Sequence, residues 1–219
     1  MKLIFIIMFL SYFATSLKAQ DTVMDIDGNI YHTINIGKQK WMAENLIVTH
    51  YNDETNIPLE TDNDKWSKMT TGAYCVSEIN KKNYIDTYGV LYNFYAVIDS
   101  RELCPDGWHV PTAQEWETLI DYLGGAKIAG GQMKKTDSNL WKVTIRNANN
   151  NSGFSAIPAG GRGRFGGIEE IGNYATWWSS TTEDSIYSWH WGLYPDKNEI
   201  RFNPGHKASG FSVRCIKDN

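Results

Sequence analysis

LCPDGWHVPTAQEW, residues 103–116, is typical of a turn, a short apolar stretch and the start of a helix. Thr112 is a good N-cap, and Glu115 stands three residues later, where its carboxylate can accept a hydrogen bond from the Thr112 N–H in a capping box. The sequence predicts a helix with one buried face that ends at Gly124-Gly125. The apolar residues at helical spacing on that face are Trp116, Leu119, Ile120 and Leu123.

The N-terminal segment has the pattern of a secretory signal peptide. Lys2 supplies a basic start, Leu3 to Leu10 forms an apolar core, and Ala19 ends the segment at the expected cleavage site. The apolar run is shorter than the roughly 20 residues of a membrane span, although an uncleaved anchor stays an alternative. No cysteine follows the apolar core, so a lipoprotein anchor is not expected. We predict a signal peptide over residues 1–19, a single domain over 20–219, and a periplasmic, cell-surface or secreted location.

The charge balance argues against nucleic acid as a partner. The chain has 21 basic and 25 acidic residues, for a net charge of −4. Removal of Lys2 and Lys18 with the signal peptide would bring the net charge to about −6, whereas a nucleic-acid partner requires a basic face. No second apolar segment is long enough to span a bilayer, so no membrane span is expected after signal cleavage.

Three cysteines make a disulfide plausible in an exported chain: Cys75, Cys104 and Cys215. We favour Cys104–Cys215 because each of these residues flanks an apolar segment that we expect to be packed. The rival pairing is Cys75–Cys104, and either choice leaves one thiol over. No C-x-x-C spacing supports a metal site.

Turn signals and periodicity predict an α+β fold with two helices, long irregular loops and a C-terminal antiparallel sheet. Asp27-Gly28-Asn29 predicts a hairpin turn, and residues 51–67 read as a surface loop. Residues 88–97 are a candidate first helix before the one at Thr112. The glycine-rich stretch 124–165 is predicted to be long irregular structure with short ordered pieces. Short strands bounded by turn residues fill the C-terminal third.

Several segments together resemble one family, the Fibrobacter succinogenes major paralogous domain (FISUMP). The resemblance spans about Asp25 to Asp218. It implies a secreted or surface bacterial protein with a fold similar to the formylglycine-generating-enzyme branch of the C-type-lectin-like fold. The segments that carry it are DGNIY (27–31), WMAENL (41–46), YGVLYNFYA (88–96), residues 103–116, SGFSA (152–156), WWSST (177–181) and GFSVRC (210–215).

The residues do not support a recognised catalytic or metal site. Formylglycine generation would need a pair of reactive cysteines near the C-terminal end, and only Cys215 lies there. Calcium-dependent sugar binding would need a Glu-Pro-Asn or Gln-Pro-Asp triplet, and neither occurs. The histidines are dispersed, and a structural hydrogen bond is the favoured interpretation of His109. We therefore expect no enzyme activity, no catalytic residue, no metal and no cofactor.

Ligand-binding candidates come from a glycine-rich segment and from an aromatic strand. Arg162 and Arg164 lie among the glycines of residues 159–167, which lack the Lys-Ser/Thr ending of a phosphate-binding loop. If Trp189 and Trp191 face the core, three nearby side chains are available outside: His190, Tyr194 and Arg201. Aromatic faces beside hydrogen-bonding groups suit a glycan or a protein ligand. The alternatives are an extracellular enzyme of unrecognised mechanism and a purely structural surface protein.

Overall fold

The computed structural model describes residues 21–76, 82–136, 139–143, 148–169 and 171–218. The predicted signal peptide and its cleavage site lie outside the described residues. The strands are β1 (Thr22–Met24), β2 (Ile30–Ile36), β3 (Gln39–Met42), β4 (Tyr74–Cys75), β5 (Leu91–Asn93), β6 (Trp108–His109), β7 (Gly161–Arg162), β8 (Ile168–Glu169), β9 (Ala175–Thr182), β10 (Tyr187–Leu193), β11 (Ile200–His206), β12 (Gly210–Phe211) and β13 (Ile216–Lys217). The helices are α1 (Asn63–Ser67), α2 (Lys82–Tyr88), α3 (Phe94–Val97), α4 (Ala113–Tyr122) and α5 (Ala126–Met133).

The strands form three antiparallel sheets. The first has the order β1-β2-β3-β13-β6, the second β4-β5-β12-β7-β8, and the third β11-β10-β9. The chain is thus mainly sheet with short helices. The hairpin predicted at Asp27-Gly28-Asn29 is confirmed: Gly28 adopts a φ of +82° between β1 and β2, and the Asp25 carboxylate accepts hydrogen bonds from the backbone N–H groups of Asp27 and Asn29.

The helix predicted at Thr112 is confirmed as α4, with both hydrogen bonds of the capping box. The Glu115 N–H donates to Thr112 Oγ1 at 3.2 Å, and the Thr112 N–H donates to Glu115 Oε2 at 2.8 Å. The helix gives way to Gly124 and Gly125, both at positive φ. The predicted buried face is also confirmed, since Trp116, Leu119, Ile120 and Leu123 are all buried.

Three predictions of local structure are wrong. Residues 88–97 are not one helix, because the chain forms β5 and then the single turn α3. The stretch 51–67 is not all surface loop, since it ends in α1, whose Trp66 is fully buried. The segment 124–165 contains α5, with Gly130 and Gly131 buried inside that helix.

Two large groups of buried side chains surround β9–β11. The tryptophan core contains Trp41, Trp116, Trp177, Trp191 and Phe154, and α4 packs into it. The disulfide core contains Trp178, Phe94, Val213 and the two bonded cysteines. Cys104 and Cys215 form the predicted disulfide, with a Cα–Cα distance of 5.9 Å, and Cys75 is a buried free cysteine.

Candidate functional site

The five predicted ligand-binding residues do not form one site. Tyr194 follows the end of β10, whereas Arg164 lies near His206, whose pKa is lowered by burial and further by the charge of Arg164. His206 pairs with Tyr187 at the start of β10. Because a strand rises about 3.3 Å per residue, the Tyr187 and Tyr194 ends of β10 lie roughly 23 Å apart.

Arg162 is a structural side chain in the interior. It is 2% exposed, and its guanidinium lies 4.3 Å from the centroid of the Trp66 ring. The guanidinium donates hydrogen bonds to the carbonyls of Gly166, Glu60 and Thr61 and to Asn63 Oδ1. These partners hold the 60–63 loop and α1 against β7 and use four of the five N–H donors of Arg162, so this buried side chain serves the fold.

His190 is half-buried and packs against two aromatic rings, which corrects its expected outward position. Its ring packs 4.5 Å from Phe211 and 6.2 Å from Trp178, measured between centroids. Burial lowers the pKa of His190 to about 4, so the imidazole is neutral at physiological pH. Trp191 enters the tryptophan core as expected, and Trp189 stacks on Phe202 at a centroid distance of 4.2 Å.

Tyr194 and Arg201 do come together on the surface, with two further side chains that the sequence analysis missed. The four residues Tyr174, Tyr194, Lys197 and Arg201 form what we call the Tyr194 patch. The Tyr174 and Tyr194 rings lie 6.3 Å apart, and the cations of Arg201 and Lys197 lie 5.5 Å and 5.7 Å from the centroid of Tyr194. Tyr194 is 38% exposed, so part of its side chain is accessible to solvent beside two positive charges.

A buried lysine holds the turn that carries this patch. Lys134 follows α5 and is completely buried, and its ammonium donates hydrogen bonds to the carbonyls of Pro195 and Lys197. Burial lowers the pKa of Lys134 to about 8, against the opposing charge of Asp196. The buried ammonium of Lys134 therefore stabilises the turn after Tyr194, and its pKa is lower than that of an ordinary lysine.

Arg164 lies at the other end of β10, on the β7–β8 hairpin. Its guanidinium stacks 4.2 Å from the centroid of Phe165, which is 71% exposed. The pair is an exposed aromatic–cation contact, although it lies apart from the Tyr194 patch.

The structure also contains a pocket that the sequence analysis did not predict. We call it the Arg214 pocket; its volume is about 550 Å³. Its walls come from Glu44 after β3, from the Gly153–Ser155 turn and from Arg214 before β13. Ser155 adopts a φ of 55°, which is uncommon for a residue with a side chain. Because the three segments are far apart in the chain, no local pattern points to the pocket.

His109 has the structural hydrogen bonds that the sequence analysis favoured. Its Nε2 lies 2.9 Å from Glu115 Oε1, and its Nδ1 lies 2.6 Å from Asp218 Oδ1. Partial burial opposes the charged form, but the hydrogen bonds of Asp218 and Glu115 outweigh it and raise the pKa of His109. Within the described part of the chain, no group of three or more His, Cys, Asp or Glu side chains is arranged to hold a metal ion.

Comparison with known proteins identifies a family. The family model of the Fibrobacter succinogenes major domain matches residues 34–217. No curated protein and no solved structure matches the chain. Among the described residues, no helix has the length and apolar character needed to cross a membrane. Since the family model covers most of the sequence, this chain belongs to the Fibrobacter succinogenes major domain family.

Proposed function

We propose that this protein is a non-enzymatic binding domain, exported to the cell surface or beyond, and that it binds a glycan at the Tyr194 patch. The observation that supports this proposal is a partly exposed tyrosine ring that contacts a second tyrosine and two cations. Tyrosine offers a large, rigid and amphipathic contact area at a low cost in conformational entropy. It therefore suits the apolar face of a sugar ring.

The charged side chains around Tyr194 can supply directional hydrogen bonds. Arg201 Nε lies 3.3 Å from Glu199 Oε2, and both side chains are more than 40% exposed. An exposed ion pair of this kind contributes only about 0–1 kcal/mol, so hydroxyl groups of a ligand can replace water around it at small cost. The patch thus combines a stacking surface with donors and an acceptor at its rim.

The proposal includes the location and the fold of the domain. A disulfide between Cys104 and Cys215 is compatible with an oxidising compartment, and the signal peptide over residues 1–19 would direct export. We further propose that residues 20–219 form one domain with a C-type-lectin-like fold, in which short helices and irregular segments surround small antiparallel sheets. N-terminal sequencing of the exported protein tests the cleavage, which we expect before Gln20.

A glycan array followed by isothermal titration tests the ligand. We expect at least one glycan to bind, and Tyr194→Ala to weaken its binding about tenfold or more through loss of the stacking face. The matched control is Tyr187→Ala, because Tyr187 has nearly the same exposure, at 39%, and lies at the opposite end of β10. The control should bind as the wild type does.

Other outcomes would replace the proposal. If Tyr187→Ala weakens glycan binding about tenfold and Tyr194→Ala leaves it unchanged, the site lies at the Arg164 end of the sheet. Release of a shortened glycan during incubation would make the protein an enzyme. An array without any binding signal would contradict the proposal that the ligand is a glycan.

A further inference from the structure

The Arg214 pocket contains a buried arginine with an incompletely used guanidinium. Arg214 is fully buried and lines the pocket. Its two Nη atoms donate to the Phe154 carbonyl and to Asn45 Oδ1, whereas Nε has no hydrogen-bond partner among the described residues. A buried donor without a partner costs about 1–3 kcal/mol, and more for a charged group. The fold thus retains a cation in this wall without a hydrogen-bonded carboxylate.

The aromatic rings around Arg214 hold its guanidinium in place. The guanidinium lies 4.1 Å from the centroid of Phe154 and 5.5 Å from that of Trp177. Burial lowers the pKa of Arg214 to about 9, and the negative charge of Glu44 partly opposes this effect. An anionic group bound in the pocket would stabilise the charged form of Arg214, as the carboxylate of Glu44 already does.

The pocket carries further charges of both signs. Lys135 lines it and forms no ion pair with any residue that the structure describes. On the negative side, Glu44 accepts hydrogen bonds from the backbone N–H of His32 and lies 2.8 Å from His32 Nδ1, while Asp86 is exposed at the rim. Apart from His32, which lies against Glu44, two basic and two acidic side chains line the cavity, so their formal charges balance.

The remaining walls are apolar and structurally constrained. Ile34, Leu140 and Ile157 contribute hydrocarbon surface. The Gly153–Ser155 turn is held by Asn150, whose Oδ1 accepts from the Ser155 N–H at 2.9 Å and whose Nδ2 donates to Ser155 Oγ at 3.0 Å. Asn150 and Ser155 both have positive φ, and residues in such conformations cluster at ligand sites. The volume, about 550 Å³, lies within the roughly 300–1,000 Å³ range of small-molecule pockets.

We propose that the Arg214 pocket binds a small zwitterion, a dipeptide or other short peptide with both termini unblocked. The ligand carboxylate would lie towards Arg214 and Lys135, and its ammonium towards Glu44 and Asp86. An apolar side chain of the ligand would contact Ile34, Leu140 and Ile157. A simple dianion fits less well, because it would meet the carboxylate of Glu44 without an ammonium group to offset it.

Isothermal titration with dipeptides tests both ends of this ligand. The probes are Ala-Ala, Val-Ala and Leu-Ala with free termini, and the same peptides with an acetylated N-terminus or an amidated C-terminus. At least one free dipeptide should bind, and either blocking group should weaken its binding about tenfold or more, since each removes one charge. This comparison uses the wild-type protein, so it does not depend on the folding of a variant.

Two pairs of variants locate the site. Lys135→Met and Glu44→Gln should each weaken dipeptide binding about tenfold or more. The matched controls, Lys127→Met and Glu117→Gln, change exposed residues outside the pocket and should bind as the wild type does. Tyr194→Ala should also leave dipeptide binding unchanged, which separates this site from the proposed glycan site.

Three results would overturn the inference. One is the absence of heat with all three free dipeptides at millimolar concentration. Another is binding of a blocked peptide as tight as that of its free form, because the charged termini would then play no part. The third is undiminished binding in both Lys135→Met and Glu44→Gln, which would place the ligand elsewhere.

Discussion

The two faces of the β9–β11 sheet bury equally large side chains in different chemical surroundings. Two neighbouring residues on β9 lie on opposite faces: Trp177 enters the tryptophan core, and Trp178 enters the disulfide core. On the first face, Trp116 lies within 6.2 Å of four other aromatic rings, those of Trp41, Phe154, Trp177 and Trp191. The second face packs His190, a titratable side chain, between Trp178 and Phe211.

This difference separates two sources of stability within one sheet. The tryptophan core depends on aromatic packing, which changes little with pH. The second face includes a neutral imidazole, whose protonation opposes the folded state, and a covalent crosslink behind it. Packing, crosslinking and protonation should therefore respond to different substitutions and to different conditions.

Trp116→Ala is one of two changes from which we expect the largest loss of stability. Removal of a fully buried indole from the tryptophan core should lower the free energy of unfolding by about 3–5 kcal/mol. Denaturant melts at neutral and at mildly acidic pH should show the same loss, because the ring contacts of Trp116 are aromatic. A nearly neutral effect, or a loss that grows with acid, would contradict the contrast between the two faces.

The disulfide should contribute at least as much to the stability of the other core. It closes a loop with a sequence separation of 111, and the chain-entropy model gives roughly 4–5 kcal/mol for a loop of this length. The double variant Cys104→Ala/Cys215→Ala should show this loss in urea melts under non-reducing conditions. Cys75→Ala is the control, and it should lose much less because no crosslink is removed.

His190→Phe should remove acid sensitivity from the second face. The pKa of His190 is lowered to about 4 by burial, from an ordinary value of 6.5, so the unfolded chain binds the proton more tightly. The wild type should therefore lose about 1–2 kcal/mol between roughly pH 7 and pH 5 through this residue. The variant should lose correspondingly less over the same interval, and an identical pH profile would contradict the buried neutral imidazole.

Thr112→Ala should have a smaller effect, on the helix that covers the first face. The loss of the N-cap should cost about 1 kcal/mol in thermal or urea unfolding, because the Glu115 N–H then lacks its acceptor. Thr112→Ser retains the hydroxyl and should recover most of the loss. If Thr112→Ser is as unstable as Thr112→Ala, the capping hydrogen bond is not what stabilises α4.

His109→Gln should have the smallest effect, with a pH dependence opposite to that of His190. Because Asp218 and Glu115 raise the pKa of His109, its contribution is complete below the ordinary value of 6.5 and is lost as pH rises through the raised value. The difference between wild type and variant should be larger at about pH 5.5 than at about pH 8.5. Salt should reduce it, since the side chain is 39% exposed.

Sequence patterns predict this molecule where the determining contacts are local. The capping box at Thr112 and the turn at Gly28 each depend on groups a few residues apart, so both were predicted. The candidate helix at residues 88–97 fails because β5 is buried on both sides, and a continuous apolar run does not distinguish a buried strand from a helix. For residues 88–97, tertiary contacts determine the secondary structure and periodicity does not.

The prediction of irregular structure over residues 124–165 fails for a different reason, which concerns the glycines of α5. A Cβ on Gly130 would lie 2.7 Å from both the Asn198 carbonyl oxygen and Leu193 Cδ2, so α5 needs glycine to approach the sheet. Glycine here serves close packing and does not mark a loop. Two members of the predicted ligand set, Tyr194 and Arg201, come together because β10 and β11 pair. Three of the partners of Arg162 lie about 100 residues away in the chain and leave no local signal.

The buried Cys75 determines how well the native disulfide resists rearrangement. Three cysteines allow three single pairings, and thiol–disulfide exchange interconverts them only when a free thiolate can reach a bonded sulfur. Burial raises the pKa of Cys75 to about 11, although Arg162 nearby partly opposes this effect. In the folded protein the only possible internal attacker is therefore both protonated and enclosed. The odd cysteine can assist correction of wrong pairings while the chain is open, and folding then removes it from the exchange.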